Sequence, residues 1–185
     1  MRLAVFLFAL AAAAPEAQPV GATLTPAVGA AVPVAGGVGD PWAVQPGLRL
    51  RLGVPAYGGV ARADVWATTA DVPGGEDVPA FLLAVPTLGW GPQAEAGPLR
   101  LGAGVRVGAA LFRFDDPEAG NFQNETEVAV GAWGGGALRL GARVEVWAEA
   151  DLMRITLADP ATLTVVSGGL ALRLDTPAWL REVLR

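Results

Sequence analysis

Apolar side chains recur at every second position along most of this chain, and a period of two permits strands and little else. In Leu99–Phe114 the odd positions are Leu99, Leu101, Ala103, Val105, Val107, Ala109 and Leu111. The even positions are Arg100, Gly102, Gly104, Arg106, Gly108, Ala110 and Phe112. Successive side chains of a strand point to opposite faces, so these are two faces of one strand. The same split sets Leu48, Leu50, Leu52 and Val54 against Arg49, Arg51 and Gly53. It sets Val144, Val146, Ala148, Ala150 and Leu152 against Arg143, Glu145, Trp147, Glu149 and Asp151. Across 185 residues there are 25 Gly and 15 Pro, far too many breakers for a helical bundle.

Eight alternating segments follow one another, divided by turn residues. They are Val20–Val34, Gly47–Ala56, Val60–Ala70, Ala80–Gly91, Leu99–Phe114, Glu125–Leu140, Arg143–Thr156 and a last one from Thr162 or Leu163 to Leu174. Tight turns are expected at Tyr57–Gly59 and Gly141–Ala142, and a short loop over 92–98. The remaining connections are longer and carry acids: Asp40; Asp71, Glu76 and Asp77; Asp115, Asp116 and Glu118; Asp159. Asp115-Asp116-Pro117-Glu118 lacks the spacing of a calcium loop and reads as a solvated acidic connection. After Thr176, a helix cap, Pro177–Leu184 reads as a short amphipathic helix with Trp179, Leu180, Val183 and Leu184 on one side.

One strand face is aliphatic. The other mixes Gly, Ala, Trp, Arg and acids. A soluble barrel would turn the aliphatic face inward, and a transmembrane barrel would turn it to lipid. The aliphatic face has few large aromatics, whereas soluble cores rely on them. The other face is rich in Gly, Ala and Trp, which suits a filled lumen. Charged residues are only 17%, sparse for a secreted soluble surface. These features favour an all-β, eight-stranded, antiparallel up-and-down transmembrane barrel over 18–176, with a short C-terminal helix over 177–185. Trp90 falls on the lipid parity near a strand end, where girdle residues sit; Trp66, Trp133 and Trp147 fall on the lumen parity. The alternative is a secreted or periplasmic lipocalin-like barrel whose cavity, lined by Leu48, Leu50, Val105, Val107, Val144 and Val146, holds a small apolar ligand.

Ahead of the strands, Arg2, the apolar run Leu3–Ala14 and a small-residue site at Ala17|Gln18 read as a cleaved signal peptide over 1–17. The run is too short to span a bilayer.

The chain has no Cys, no His and no Lys. Disulfides, thiol nucleophiles, His-centred triads, most zinc sites, Schiff bases and a P-loop are therefore excluded. The net charge of −5 leaves no footprint for nucleic acid. Carboxylates alone remain for acid–base work, so no enzyme, cofactor or metal is expected.

On the lumen assignment, Arg49, Arg51, Arg62, Arg100, Arg106, Arg139, Arg143 and Arg173 point inward with Asp64, Glu125, Glu127, Glu145, Glu149 and Asp151. An eight-stranded barrel is just wide enough for its side chains to fill, and buried charges need partners. The expectation is an ion-pair network that plugs the lumen. The weaker alternative is a narrow Arg-lined channel.

The stretch from Trp133 to Asp151 (WGGGALRLGARVEVWAEAD) pairs a Gly-rich strand with a strand of alternating charges across a tight turn. Here, and in the rhythm of the whole mature chain, the sequence resembles the small eight-stranded outer-membrane β-barrels of the opacity type. The resemblance implies a porin-like shape and a structural or surface-interaction role in a Gram-negative-type cell envelope. It implies outer-membrane lipid and the barrel-assembly machinery as partners; an external partner is left unknown. The last strand is similar to an assembly signal, with Ser167, Gly169, Leu172 and Leu174 at alternating places; the two leucines stand where such barrels finish on aromatics. The N-terminus and the tight turns would face the periplasm, and the longer loops the outside.

Overall fold

The computed structural model describes residues 23–73, 78–116 and 123–183. The signal-peptide segment, Glu76, Asp77, Glu118 and Leu184 lie outside the described residues. Eight long strands form the wall: β1 (Thr23–Gly36), β3 (Gly47–Ala56), β4 (Gly59–Asp71), β5 (Phe81–Ala96), β6 (Leu99–Phe114), β7 (Glu125–Arg139), β8 (Val144–Ile155) and β9 (Ala161–Leu172). Two short strands, β2 (Ala43–Val44) and β10 (Leu174–Asp175), pair with β4 and β1 respectively. Every pairing is antiparallel, each long strand lies beside the next long strand of the chain, and β1 pairs with β9 to close the barrel. Closure removes the exposed sheet edges. The seam runs from Ala27↔Ala171 to Gly36↔Leu163, with a register shift between Pro33 and Ala35. Proline cannot donate to the ladder, so a bulge beside Pro33 is where such a shift is tolerated.

The three tight turns gather at one end of the barrel. Tyr57 and Gly58 both have positive φ, at 51° and 71°, between the paired residues Ala56 and Gly59. That is the two-residue I′ geometry that matches strand twist. The expected loop over 92–98 is instead strand: β5 runs on to Ala96 and turns into β6 through Gly97 and Pro98 alone. Gly97 has φ 60°, as glycine does at the first position of a II′ turn. The longer connections gather at the opposite end.

The two strand faces separate as their sequence alternates. Val105, Val107, Leu48, Leu50, Leu152 and Leu170 lie on the outer wall with about half or more of their surface exposed. Arg49, Asp64, Arg106, Glu149 and Asp151 are buried inside. This is the reverse of a lipocalin-like cavity, whose proposed lining residues here all face outward. Trp66, Trp133 and Trp147 are buried in the lumen, and Trp90 stands on the outer wall, where its Nε1 donates to the Ala56 carbonyl at 3.0 Å.

The lumen is layered. Toward the loop end it is apolar: Leu83, Val85, Phe112, Ile155, Leu163 and Val165 pack together with Trp66 and Phe81. Trp42, from the first long loop, lies over this layer. Its ring meets Phe81 edge-on at 5.6 Å, and its Nε1 donates to the Pro79 carbonyl at 3.0 Å. Charged side chains fill the middle and the turn end. At the C-terminus, α1 (Ala178–Val183) begins one residue later than the expected helix. Thr176 does not cap it, because its buried Oγ1 has no hydrogen-bond partner. Trp179 is exposed and Leu180 half-buried. Among the described residues no helix is long and apolar enough to cross a membrane, and the wall is made of strands.

Candidate functional site: the charged barrel interior

Parity delivers arginines and carboxylates from five strands into one enclosed space. Arg49 and Arg51 come from β3, Arg62 and Asp64 from β4, Arg100 and Arg106 from β6. Glu145, Glu149 and Asp151 come from β8, across the barrel from β3 and β4. Arg139 closes β7.

Two clusters result. In the central one, Arg49 bonds Asp64 at 3.2 Å, Glu149 at 3.2 Å, Asp151, and the Ser167 hydroxyl at 3.1 Å. Glu149 is the common acceptor. Its Oε1 takes Arg106 at 2.8 Å and Arg49, and its Oε2 takes Arg51 at 3.1 Å and Arg62. Arg106 also pairs with Asp151. The second cluster lies toward the turn end around Glu145, which is wholly buried. Arg100 hydrogen-bonds it, and Arg139 and Arg173 approach its Oε1 at 3.7 and 3.6 Å. Arg139 reaches back to Glu95 at 2.6 Å. Between the clusters, the Arg51 guanidinium stacks 4.1 Å over Trp147 and that of Arg62 stacks 3.4 Å over Trp133. An indole face attracts a cation most strongly where water is excluded.

Close approach in the lumen also depends on glycine. A Cβ at Gly102 would sit 3.2 Å from the Trp133 ring, and one at Gly29 would sit 2.7 Å from the Trp147 ring. The inward glycines thus make the space that the two indoles fill.

Not every expected member joins. Glu125 and Glu127 keep the inward parity but lie at the loop-end rim of β7, beyond the apolar layer and away from any guanidinium of the network. Arg143 precedes β8 in the turn, where alternation no longer decides direction, and is exposed. Among the described residues no ion pair reaches these three. Glu95 was missed because 92–98 read as a loop. Its signal was present: Gln93 and Glu95 continue the inward parity of Gly89 and Gly91. Of the expected assembly-signal residues, Ser167 is buried against Arg49 and Gly169 lies on the β1–β9 seam. Leu172 and Leu174 face outward and exposed.

A closed eight-stranded antiparallel wall with an aliphatic outside and a charged, filled inside defines the small transmembrane β-barrels of outer-membrane type. The likeness to solved structures agrees. Neisserial surface protein A superposes with a TM-score of 0.65 at 13% identity, over 85% of this chain and 100% of that one. Ail, the attachment invasion locus protein of Yersinia pestis, was solved in complex with the heparin analogue sucrose octasulfate. It superposes with a TM-score of 0.53 at 12% identity, over 83% of this chain and 99% of that one. Ail solved without that ligand gives 0.50 at 14% identity over the same shares. Both are small eight-stranded outer-membrane β-barrels, and the present chain shares their fold. No protein-family model matches the sequence, and no curated protein does.

Proposed function

We propose that this chain is a non-enzymatic barrel of the bacterial outer membrane with a structural or surface-interaction role, its lumen closed rather than conducting. The observation that carries the reading is the layered interior. Aqueous conduction would have to cross both the ion-pair network and the apolar layer of Leu83, Val85, Phe112 and Leu163. The outer wall supports the location, because an aliphatic belt of this kind is stable only against lipid. Signal-peptide cleavage at residue 17 and insertion by the barrel-assembly machinery complete the proposed route.

The sulfated sugar bound by Ail does not carry over. Exposed Asp40, Asp71, Asp115 and Asp159 at the loop end would repel it. A partner met there is expected to be neutral or cationic.

The test combines two measurements on protein refolded in detergent. Electrophoresis without boiling should show faster migration than after boiling, as a stable barrel does. Planar-bilayer recordings should show no stable conductance. A steady conductance altered by Arg106→Ala would establish the channel instead.

A further inference from the structure

Charge is not balanced in the lumen. The ion pairs join seven guanidiniums, of Arg49, Arg51, Arg62, Arg100, Arg106, Arg139 and Arg173. They meet five carboxylates, of Asp64, Glu95, Glu145, Glu149 and Asp151. The surplus is not spread evenly. A cavity of about 10 Å³ beside Arg49, Asp64, Arg106 and Asp151 has two cations and two carboxylates in its wall. A second cavity, of about 20 Å³, is lined by Arg51, Arg62, Arg100, Gln93 and Glu149 over glycine backbone. Its wall holds three cations and one carboxylate.

That one carboxylate is already saturated. Both Glu149 oxygens are taken, by Arg49 and Arg106 on one and by Arg51 and Arg62 on the other. Arg100 spends its hydrogen bond on Glu145. Arg51 and Arg62, with side chains 7% and 9% exposed, each make one hydrogen bond to Glu149 and otherwise lie against an indole face. A guanidinium has five N–H donors, so most of those at the cavity are unmet. A water molecule could accept from some of them, but it would leave like charges facing one another away from bulk solvent, which is costly. A small anion meets both needs. Bulky oxyanions such as phosphate or sulfate do not fit a cavity of this size.

We propose that the cavity between Arg51, Arg62, Arg100 and Gln93 is a binding site for one monatomic anion, chloride under ordinary conditions. The anion accepts from the free guanidinium and amide N–H groups and offsets the local surplus. Gly102 and Gly135, where a side chain would run into Gln93, Trp133 or Glu149, leave the room for it. The proposal goes beyond the closed-lumen reading and needs only that these side chains face the interior.

The test uses bromide as the probe. Crystals of the full mature barrel grown in bromide should show an anomalous peak in this cavity, within hydrogen-bond reach of the Arg51 and Arg62 guanidiniums. At constant ionic strength, the unfolding midpoint should rise as chloride replaces gluconate, and Arg51→Gln should abolish that rise. A crystal without a bromide peak there overturns the proposal. So does a peak accompanied by identical midpoints in chloride and gluconate, which marks an adventitious ion only. Should Arg51→Gln fail to fold, the two wild-type measurements decide the matter alone. Bilayer recordings of the same preparation report separately on whether the lumen conducts, so the two readings fail independently.

Discussion

Glu149 organises the interior more than any arginine does, because four guanidiniums converge on its two oxygens. Removing one partner of a buried ion pair leaves an uncompensated charge and costs about 3–5 kcal/mol. Glu149→Gln keeps the shape and removes the charge, so it should destabilise the barrel by at least that much. Urea unfolding followed by tryptophan emission will read this, since Trp133 and Trp147 lie beside the network. Arg143→Gln, at an exposed turn position outside the network, should leave the same curve unchanged within about 0.5 kcal/mol. An equal loss in the two variants would show that the ion pairs do not hold the fold.

At the scale of the strand, alternation makes neighbouring residues opposite in role. Val107 is 56% exposed on the outer wall, and Arg106 beside it is buried in the lumen. Val107→Arg puts a charge toward lipid and should cost about 2–4 kcal/mol if the site lies near the bilayer midplane. Folding yield into vesicles is the measurement, and Val107→Leu should fold as the wild type does. The closing strand pair is sensitive for another reason. A Cβ at Gly169 would meet the Val28 carbonyl oxygen at 2.0 Å and the Gly29 Cα at 2.5 Å. Gly169→Val should therefore weaken closure and abolish the heat-dependent shift in electrophoretic mobility, whereas Gly141→Ala, with open space around it, should preserve the shift.

For the whole molecule, an apolar layer and a charged layer in series predict redundancy. Arg49→Ala disrupts the central cluster but leaves Phe81, Leu83, Phe112 and Leu163 packed above it. It should lower stability without producing steady conductance in planar bilayers. Conductance after that single truncation would mean that the apolar layer does not seal the loop end. The exposed aromatics Tyr57 and Trp179 stand with Trp90 at the turn end. That places one row of interfacial anchors on the side assigned to the periplasm.

Alternation, with the turn residues between segments, by itself determined the eight wall strands, their antiparallel order and which residues share a face. Those properties follow from local backbone geometry, so they can be read from Leu48 to Val54 or from Val144 to Asp151 without knowing the rest. It was legible too that Arg and carboxylate share the inner face. What alternation cannot reach is distance around the barrel. Arg49 meets Asp151 across 102 residues of chain, and that contact exists only because β1 and β9 close with one particular register. Register likewise brought Glu95 into the network. The rim position of Glu125 and Glu127, and the turn position of Arg143, left these three outside it. The apolar layer was hidden for a related reason: in Phe81–Val85 both faces are hydrophobic, so alternation is silent there. Only the closed tertiary structure decides that Phe81, Leu83 and Val85 face Leu163 and Ile155 across the lumen, while Leu82 looks outward.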